Sequence, residues 1–324
     1  MAEISVLGSG RWGSLIAWYL EKIGHSLILW GKKNSPDIDF LIKNRNNGSV
    51  FFGEKILITS DLKIALKNIF LVVSINSQNL RDFLNDLVCF SKENNIDLKN
   101  KIIILCMKGI EEPTGKRLTE VVGDLIPKNK NVAIWVGPGH VKSLLKGTPT
   151  CMVVDSNCED LKFKLTEMFS SPLIRCYRGS DLVGNEIGAA AKNVLGIAAG
   201  ILDALGMAQL KGALMARGAK EVSILMEKMG GKKESAFGLC HLGDYQATLF
   251  SKESNNRKFG ETLVTGENVD FIAEGVGTSS AIEKICLKNS IDLPIFHEIY
   301  KLIFKKTNPK SSLLKLFSRK LTEE

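Results

Sequence analysis

From Ile187 to Leu202 the chain carries one ionisable side chain, Lys192, set among Ala, Gly, Val, Leu, Ile and one Asn. Burial disfavours the ammonium form and lowers a lysine's pKa, which lets the amine take and give protons near neutrality. Gly188 and Gly196 fall one turn to either side of it, so the backbone beside the amine is bare and another group can lie close. A core lysine whose methylenes run out to solvent would have the same sequence, and the stretch alone leaves both readings open. A membrane span is not expected, because the uncharged run is short and the lysine interrupts it.

A second constellation opens the chain. Glu3-Ile4-Ser5-Val6-Leu7 is followed by Gly8-Ser9-Gly10-Arg11-Trp12-Gly13 and then by Leu15, Ile16, Trp18, Tyr19 and Leu20 at helical spacing. In a strand–glycine turn–helix unit, Gly8 permits the tight turn, Gly10 admits a pyrophosphate, and Gly13 packs helix on strand. The helix N-terminus then offers N–H groups to the anion, so this is a dinucleotide-binding pattern. The next strand, Ser26–Trp30, ends in Gly31-Lys32-Lys33, with no acid before Asp37 to hold a ribose 2′-hydroxyl. Cations there favour a 2′-phosphate, hence NADPH with NADH still possible, although two solvated lysines would look the same.

Further candidates follow. Lys108 comes directly after the apolar run 101–107, where a phosphate contact, a cofactor contact or a surface position are all open. Gly238-Leu239-Cys240-His241-Leu242-Gly243-Asp244 sets a carboxylate in a glycine-containing loop. Ser254-Asn255-Asn256-Arg257-Lys258 has the small donors and cations that suit a phosphate, a composition that ordinary turns share.

The elements that must position these groups are legible from periodicity. Apolar runs at Ile69–Val73, Lys101–Met107, Val132–Val136 and Met152–Val154 alternate with an amphipathic helix over Leu80–Phe90, while Asn34–Ser60 reads as irregular. Strands separated by helices predict an α/β fold with a doubly wound, parallel, Rossmann-type sheet. Ligands then bind outside the strands' carboxyl ends, where Ser74, Lys108 and Gly137-Pro138-Gly139 fall. After Ser180 small residues at helical spacing take over, so the expected domains are 1–179, dinucleotide-binding, and 180–324, an all-helical substrate domain.

The whole chain sets bounds. Its 324 residues carry a formal net charge of +8, much of it at Lys301, Lys305, Lys306, Lys310, Lys315, Arg319 and Lys320 without interleaved aromatics. That reads as a solvated helical face and not a nucleic-acid surface, and a positive field draws in small phosphorylated substrates. The seven cysteines are scattered with no C-x-x-C pair, and the four histidines lack metal-ligand spacing. With no signal peptide, reduced thiols in a cytoplasm are expected, and no metal.

Taken in order, Gly8-x-Gly10-x-Trp12-Gly13, Leu29-Trp30-Gly31, Lys108-Gly109-Ile110-Glu111, Gly137-Pro138, Gly147-Thr148-Pro149-Thr150 and Gly188 through Lys192-Asn193 form a pattern. It continues through Asp203-Ala204-Leu205-Gly206, Arg217-Gly218, Leu242-Gly243-Asp244, Asn256-Arg257-Lys258-Phe259-Gly260, Ala273-Glu274-Gly275-Val276 and Leu293-Pro294-Ile295. In these features the chain resembles the bacterial NAD(P)H-dependent glycerol-3-phosphate dehydrogenases over nearly its whole length. The resemblance implies reduction of dihydroxyacetone phosphate to sn-glycerol 3-phosphate, with Lys192 as proton donor and acceptor, for glycerophospholipid synthesis. It implies cofactor contacts from Gly8, Gly10, Arg11, Trp12, Gly13, Lys32, Lys33, Lys108, Val141, Asn255, Ile272 and Glu274. Substrate contacts are implied for Lys108, Gly137, Gly139, Lys192, Asp244, Ser254, Asn255, Asn256 and Arg257. A homodimer is common for this architecture.

Five positions depart from the family pattern. Asn255 stands for an arginine that touches phosphate and cofactor, Gly139 for a Ser or Thr, Asn76 for a proline, and Cys240-His241 for Ala-Gly. Arg257 or Lys258 can compensate for Asn255 only in part, because neither repeats a bidentate contact from that place. Other readings are a dinucleotide-binding protein of this fold without turnover, or a dehydrogenase of another small hydroxy acid or polyol phosphate.

Overall fold

The computed structural model describes residues 1–271 and 273–320. They form two compact units, one of Met1–Met107 with Leu118–Leu182 and one of Lys108–Arg117 with the described residues from Val183 onward. The division differs in detail from the 1–179 and 180–324 read from the sequence, since the short segment after Met107 packs with the helical unit.

The first unit is built on eight strands, β1 (Glu3–Leu7), β2 (Ser26–Trp30), β3 (Leu57–Thr59), β4 (Phe70–Val73), β5 (Ile102–Leu105), β6 (Val132–Val136), β7 (Thr150–Ser156) and β8 (Ile174–Arg178). They lie in the order β3-β2-β1-β4-β5-β6-β7-β8. Every residue of β4 and β5 is buried, which is why these strands read as continuous apolar runs without alternation. The chain reverses its direction of travel across the sheet between β3 and β4, so β1 and β4 flank a switch point, where ligands bind in sheets of this type.

Seven helices connect the strands: α1 (Arg11–Lys22), α2 (Pro36–Asn44), α3 (Leu62–Ala65), α4 (Leu80–Glu93), α5 (Leu118–Leu125), α6 (Val141–Leu145) and α7 (Glu159–Phe169). Two differences from the sequence reading have local causes. The stretch read as irregular holds α2 and β3; Pro36 opens α2, Asp37 and Asp39 sit in its first turn, and only Ile38 and Leu41 are buried, too few to print a clear period. The sheet is parallel from β3 through to β6, but β7 pairs antiparallel with β6. The α6 link between them is one short turn and not a full crossover helix. Behind the sheet Trp135 stacks on Phe169 at 4.4 Å, and the Tyr19 hydroxyl donates to the Phe169 carbonyl at 2.7 Å.

The second unit is helical: α8 (Leu182–Ala204), α9 (Lys211–Lys228), α10 (Asn255–Thr265), α11 (Glu274–Asn289), α12 (Pro294–Phe304) and α13 (Pro309–Phe317). Its core gathers on α8, through Ile187, Val194, Leu195 and Ile197 against Val222, Leu225, Ile282 and Phe296. By length and hydropathy α8 is long enough to cross a membrane, contrary to the short run read from the sequence, but 89% of its most apolar stretch is buried inside the protein. None of the seven cysteines is in a disulfide.

Candidate active site

On α8, Gly188, Lys192, Gly196 and Gly200 recur every four residues and so share one helix face. A Cβ at Gly196 would stand 2.6 Å from Thr248 Cγ2, and one at Gly200 would stand 1.8 Å from the Arg257 carbonyl oxygen. The glycines therefore let the loop before α10, and α10 itself, press onto the α8 backbone. Lys192 is the one long side chain in this seam.

Its amine is enclosed. Lys192 is 4% exposed, which removes the reading of a side chain that reaches solvent. Nζ stands 2.6 Å from Asp244 Oδ2 and donates to Thr248 Oγ1 at 2.8 Å. Lys108 Nζ donates to the same carboxylate oxygen at 2.6 Å. Burial pushes the Lys192 pKa down to about 8; Asp244 works against that fall and the Lys108 ammonium adds to it. Two ammonium groups facing one carboxylate leave the cluster with excess positive charge when both are protonated. Such a site attracts an anion and favours release of a proton. Asp244 is 0% exposed, and its Oδ1 has no hydrogen-bond partner among the described residues, a buried acceptor open to a hydroxyl donor.

The elements that carry these groups differ in kind. Asp244 closes a single 3-10 turn, Leu242–Asp244, and Thr248 lies in the π-helical turn Gln246–Phe250 that follows. Such π turns recur at functional sites because the extra residue re-aims the side chains within it. Beneath it, Lys211 Nζ donates to the Leu249 carbonyl at 3.0 Å and to Asp203 Oδ2 at 2.6 Å, tying the turn to the end of α8.

The residues at the start of α10 are partly committed. Ser254 caps the helix, its Oγ accepting from the Arg257 N–H, and Asn256 Oδ1 accepts from the Gly275 N–H at the head of α11. Arg257 donates through Nε to Asp203 and through Nη2 to Glu261, so two carboxylates already hold its charge. Asn255 is exposed at the first position of α10, and Asn256 packs on Gly196 beside Thr248. Glu274 opens α11, and Ile272 lies outside the described residues.

In the first unit the glycine turn has the predicted form. Gly8, with φ +125°, lies where a Cβ would be 2.1 Å from the Ser74 carbonyl oxygen, and a Cβ at Gly13 would be 1.9 Å from the Gly8 carbonyl oxygen. Gly10 faces open space at the N-terminus of α1, with Arg11 exposed beside it. Trp12 Nε1 is a buried donor with no partner among the described residues. Gly139 lies under the Trp12 indole, where a Cβ would be 2.6 Å from Cη2, so a serine there requires the ring to move. Gly137 follows β6 directly with φ +142°, and Val141 is buried in the core cluster against which Trp12 packs. Lys32 and Lys33 are exposed just beyond β2. These features fit a dinucleotide: a bare glycine turn and a helix N-terminus lie at the switch point.

The structure thus brings Lys108, Lys192 and Asp244 together, and adds Thr248, which the sequence reading missed. The available signal was its place four residues after Asp244, one turn further along.

Comparison with known proteins follows the two units. The family model described as NAD-dependent glycerol-3-phosphate dehydrogenase N-terminus matches residues 3–162, and its C-terminus counterpart matches residues 181–314. The chain is 34% identical to a glycerol-3-phosphate dehydrogenase [NAD(P)+] of Fusobacterium nucleatum, over 98% of this chain and 97% of that one. It is 33% identical to the protein of the same description from Pelodictyon phaeoclathratiforme, over 99% of each. It is also similar to the crystal structure of glycerol-3-phosphate dehydrogenase from Coxiella burnetii, with a TM-score of 0.88 at 26% identity, covering 98% of this chain and 99% of that one.

Proposed function

The chain belongs to the NAD-dependent glycerol-3-phosphate dehydrogenase family, and from that premise we propose that it reversibly reduces dihydroxyacetone phosphate to sn-glycerol 3-phosphate. The observation that carries the reading is the buried Lys192 amine, pushed to about 8 and held between Asp244 and Thr248. When bound, the nicotinamide dinucleotide supplies the hydride. Lys192, as ammonium, gives its proton to the ketone oxygen as the alkoxide develops; in the reverse direction the neutral amine takes it back.

The other residues bind and orient. Asp244 holds Lys192 and Lys108 by one oxygen and offers the other to a substrate hydroxyl. Lys108, Gly137, Gly139, Ser254, Asn255 and Asn256 are the proposed contacts to the phosphorylated substrate, with Arg257 supporting them through its place in α10. On the cofactor side Gly8, Gly10, Arg11, Trp12 and Gly13 take the pyrophosphate, with Val141, Asn255, Ile272 and Glu274 as further contacts. Lys32 and Lys33 are the ground for proposing NADPH as the preferred cofactor and NADH as a poorer one, since no acid precedes Asp37. Supply of glycerophospholipid synthesis, a homodimer and a cytoplasmic location complete the proposal. The location is supported by the odd, scattered set of seven cysteines with no C-x-x-C pair.

The test is steady-state turnover on dihydroxyacetone phosphate against non-phosphorylated ketones. Charge-assisted contacts to the phosphate should give the phosphorylated ketone a kcat/KM higher by about a hundredfold or more. Dinucleotide binding without turnover on any ketone would overturn the reading in favour of a binding protein.

A further inference from the structure

Cys240-His241 replaces the Ala-Gly of the family pattern, and the structure places His241 against the turn of α8 that carries Lys192. The ring is 0% exposed. Its Nδ1 lies 3.1 Å from the Gly188 carbonyl oxygen, an acceptor only, so Nδ1 carries the proton and donates. Nε2 is then an acceptor and receives the Tyr245 hydroxyl at 2.7 Å. Tyr245 is itself 1% exposed, and the two rings meet edge to face at 4.8 Å. Gly188 stands four residues before Lys192, so its carbonyl is the one that the Lys192 amide addresses in helical register. A Cβ at Gly188 would lie 2.9 Å from His241 Cβ, so the imidazole occupies the space that this glycine leaves.

The two rings straddle the Asp244 turn. His241 precedes Leu242–Asp244 and Tyr245 follows it, so their hydrogen bond closes a loop around the carboxylate. The bond to Gly188 then pins that loop to α8. We propose that His241 and Tyr245 are a positioning pair for the reaction assigned above, on which this inference rests: they fix the Asp244 turn against the Lys192 turn and so set the distance between carboxylate and amine. Neither touches the reacting atoms.

The groups that face Lys192 are Asp244 from the 3-10 turn, Lys108 from the segment after β5, Thr248 from the π turn and His241 itself. Burial pushes the His241 pKa down to about 4, so the imidazole stays neutral through the assay range and a kinetic limb near 8 belongs to Lys192. Loosening the turn withdraws the only anion facing that amine among the described residues. Burial and Lys108 then act unopposed, and the limb moves to lower pH.

The experiment compares wild type with Tyr245→Phe, His241→Asn and His241→Ala. It records kcat against pH for glycerol 3-phosphate oxidation, the KM for the dinucleotide and the Tm. In parallel, the Lys192 15Nζ resonance is titrated in lysine-labelled protein and assigned with Lys192→Arg. Tyr245→Phe keeps the packing and should lower kcat about 3- to 10-fold, with its pH limb displaced downward and the dinucleotide KM unchanged. His241→Asn keeps the donor to Gly188 and should fall between Tyr245→Phe and His241→Ala. A 15Nζ midpoint and a kinetic limb that stay at the wild-type pH in Tyr245→Phe would overturn the proposal, whatever the Tm. If the wild type shows no turnover, the functional reading fails, and the 15Nζ titration still decides the role of the pair.

Discussion

At Lys192 three influences of different sign meet, and their balance fixes what the residue does. Burial favours the neutral amine, Asp244 favours the ammonium, and Lys108 opposes it; the result is about 8 in place of 10.5. Below that value the residue is a proton donor and above it a base. The rate of ketone reduction should therefore fall as pH rises through about 8, and alcohol oxidation should rise through the same window. Lys192→Ala should lower kcat by about 10²- to 10⁴-fold while NADPH binding, read by fluorescence titration, is unchanged. Asp244→Asn leaves Lys108 and Lys192 facing each other without the carboxylate. Its pH limb should move down by about one unit or more, and a limb that stayed in place would show that Asp244 does not govern the amine.

The elements contribute close approach and caps. Where α8 crosses α10, Gly260 is set so that a Cβ would be 2.0 Å from the Ile197 carbonyl oxygen, a backbone contact that no rotamer change can relieve. Gly260→Ala should cost about 1–3 kcal/mol or more in urea unfolding, and a neutral result would mean that the two helices part easily. At the head of α12, the buried Glu221 carboxylate accepts from the Ile295 and Phe296 N–H groups, standing in for the missing partners of a helix start. Burial nonetheless pushes its pKa up to about 7, against which those N–H bonds act. Between 4.5 and about 7 the native state binds the extra proton, so this group's contribution to stability declines as pH rises through that window. Glu221→Gln does not titrate. Its stability relative to wild type should accordingly improve by about 3 kcal/mol between pH 4 and pH 8, and a pH-independent difference would contradict the burial argument.

Over the whole molecule, much of the architecture could be read from period and punctuation, because buried strands print apolar runs and the glycine turn has a fixed spacing. The strands β1, β2 and β4 to β6, the lone lysine of α8 and the helical second half were legible for that reason, whereas β3 was hidden in a stretch that read as irregular. What escaped depended on long-range contact. Thr248 reads as an ordinary threonine until the π turn aims it, and the meaning of Gly139 waits on the Trp12 ring above it. The sharing of Asp244 by two lysines, 136 residues apart in the case of Lys108, has no local signature. The proposed role of the exposed Lys32 and Lys33 belongs to this scale too, as part of a positive field toward a phosphorylated cofactor. Changing both to Ala should narrow the kcat/KM preference for NADPH over NADH by about tenfold, and unchanged discrimination would place the choice elsewhere. The central claim is that this protein reduces dihydroxyacetone phosphate with Lys192 supplying the proton. It is tested most directly by following the consumption of NADPH with that ketone in wild type and Lys192→Ala side by side. The account predicts ketone-dependent turnover in the wild type and its near loss in a variant that still binds NADPH; turnover of equal rate in both would contradict it.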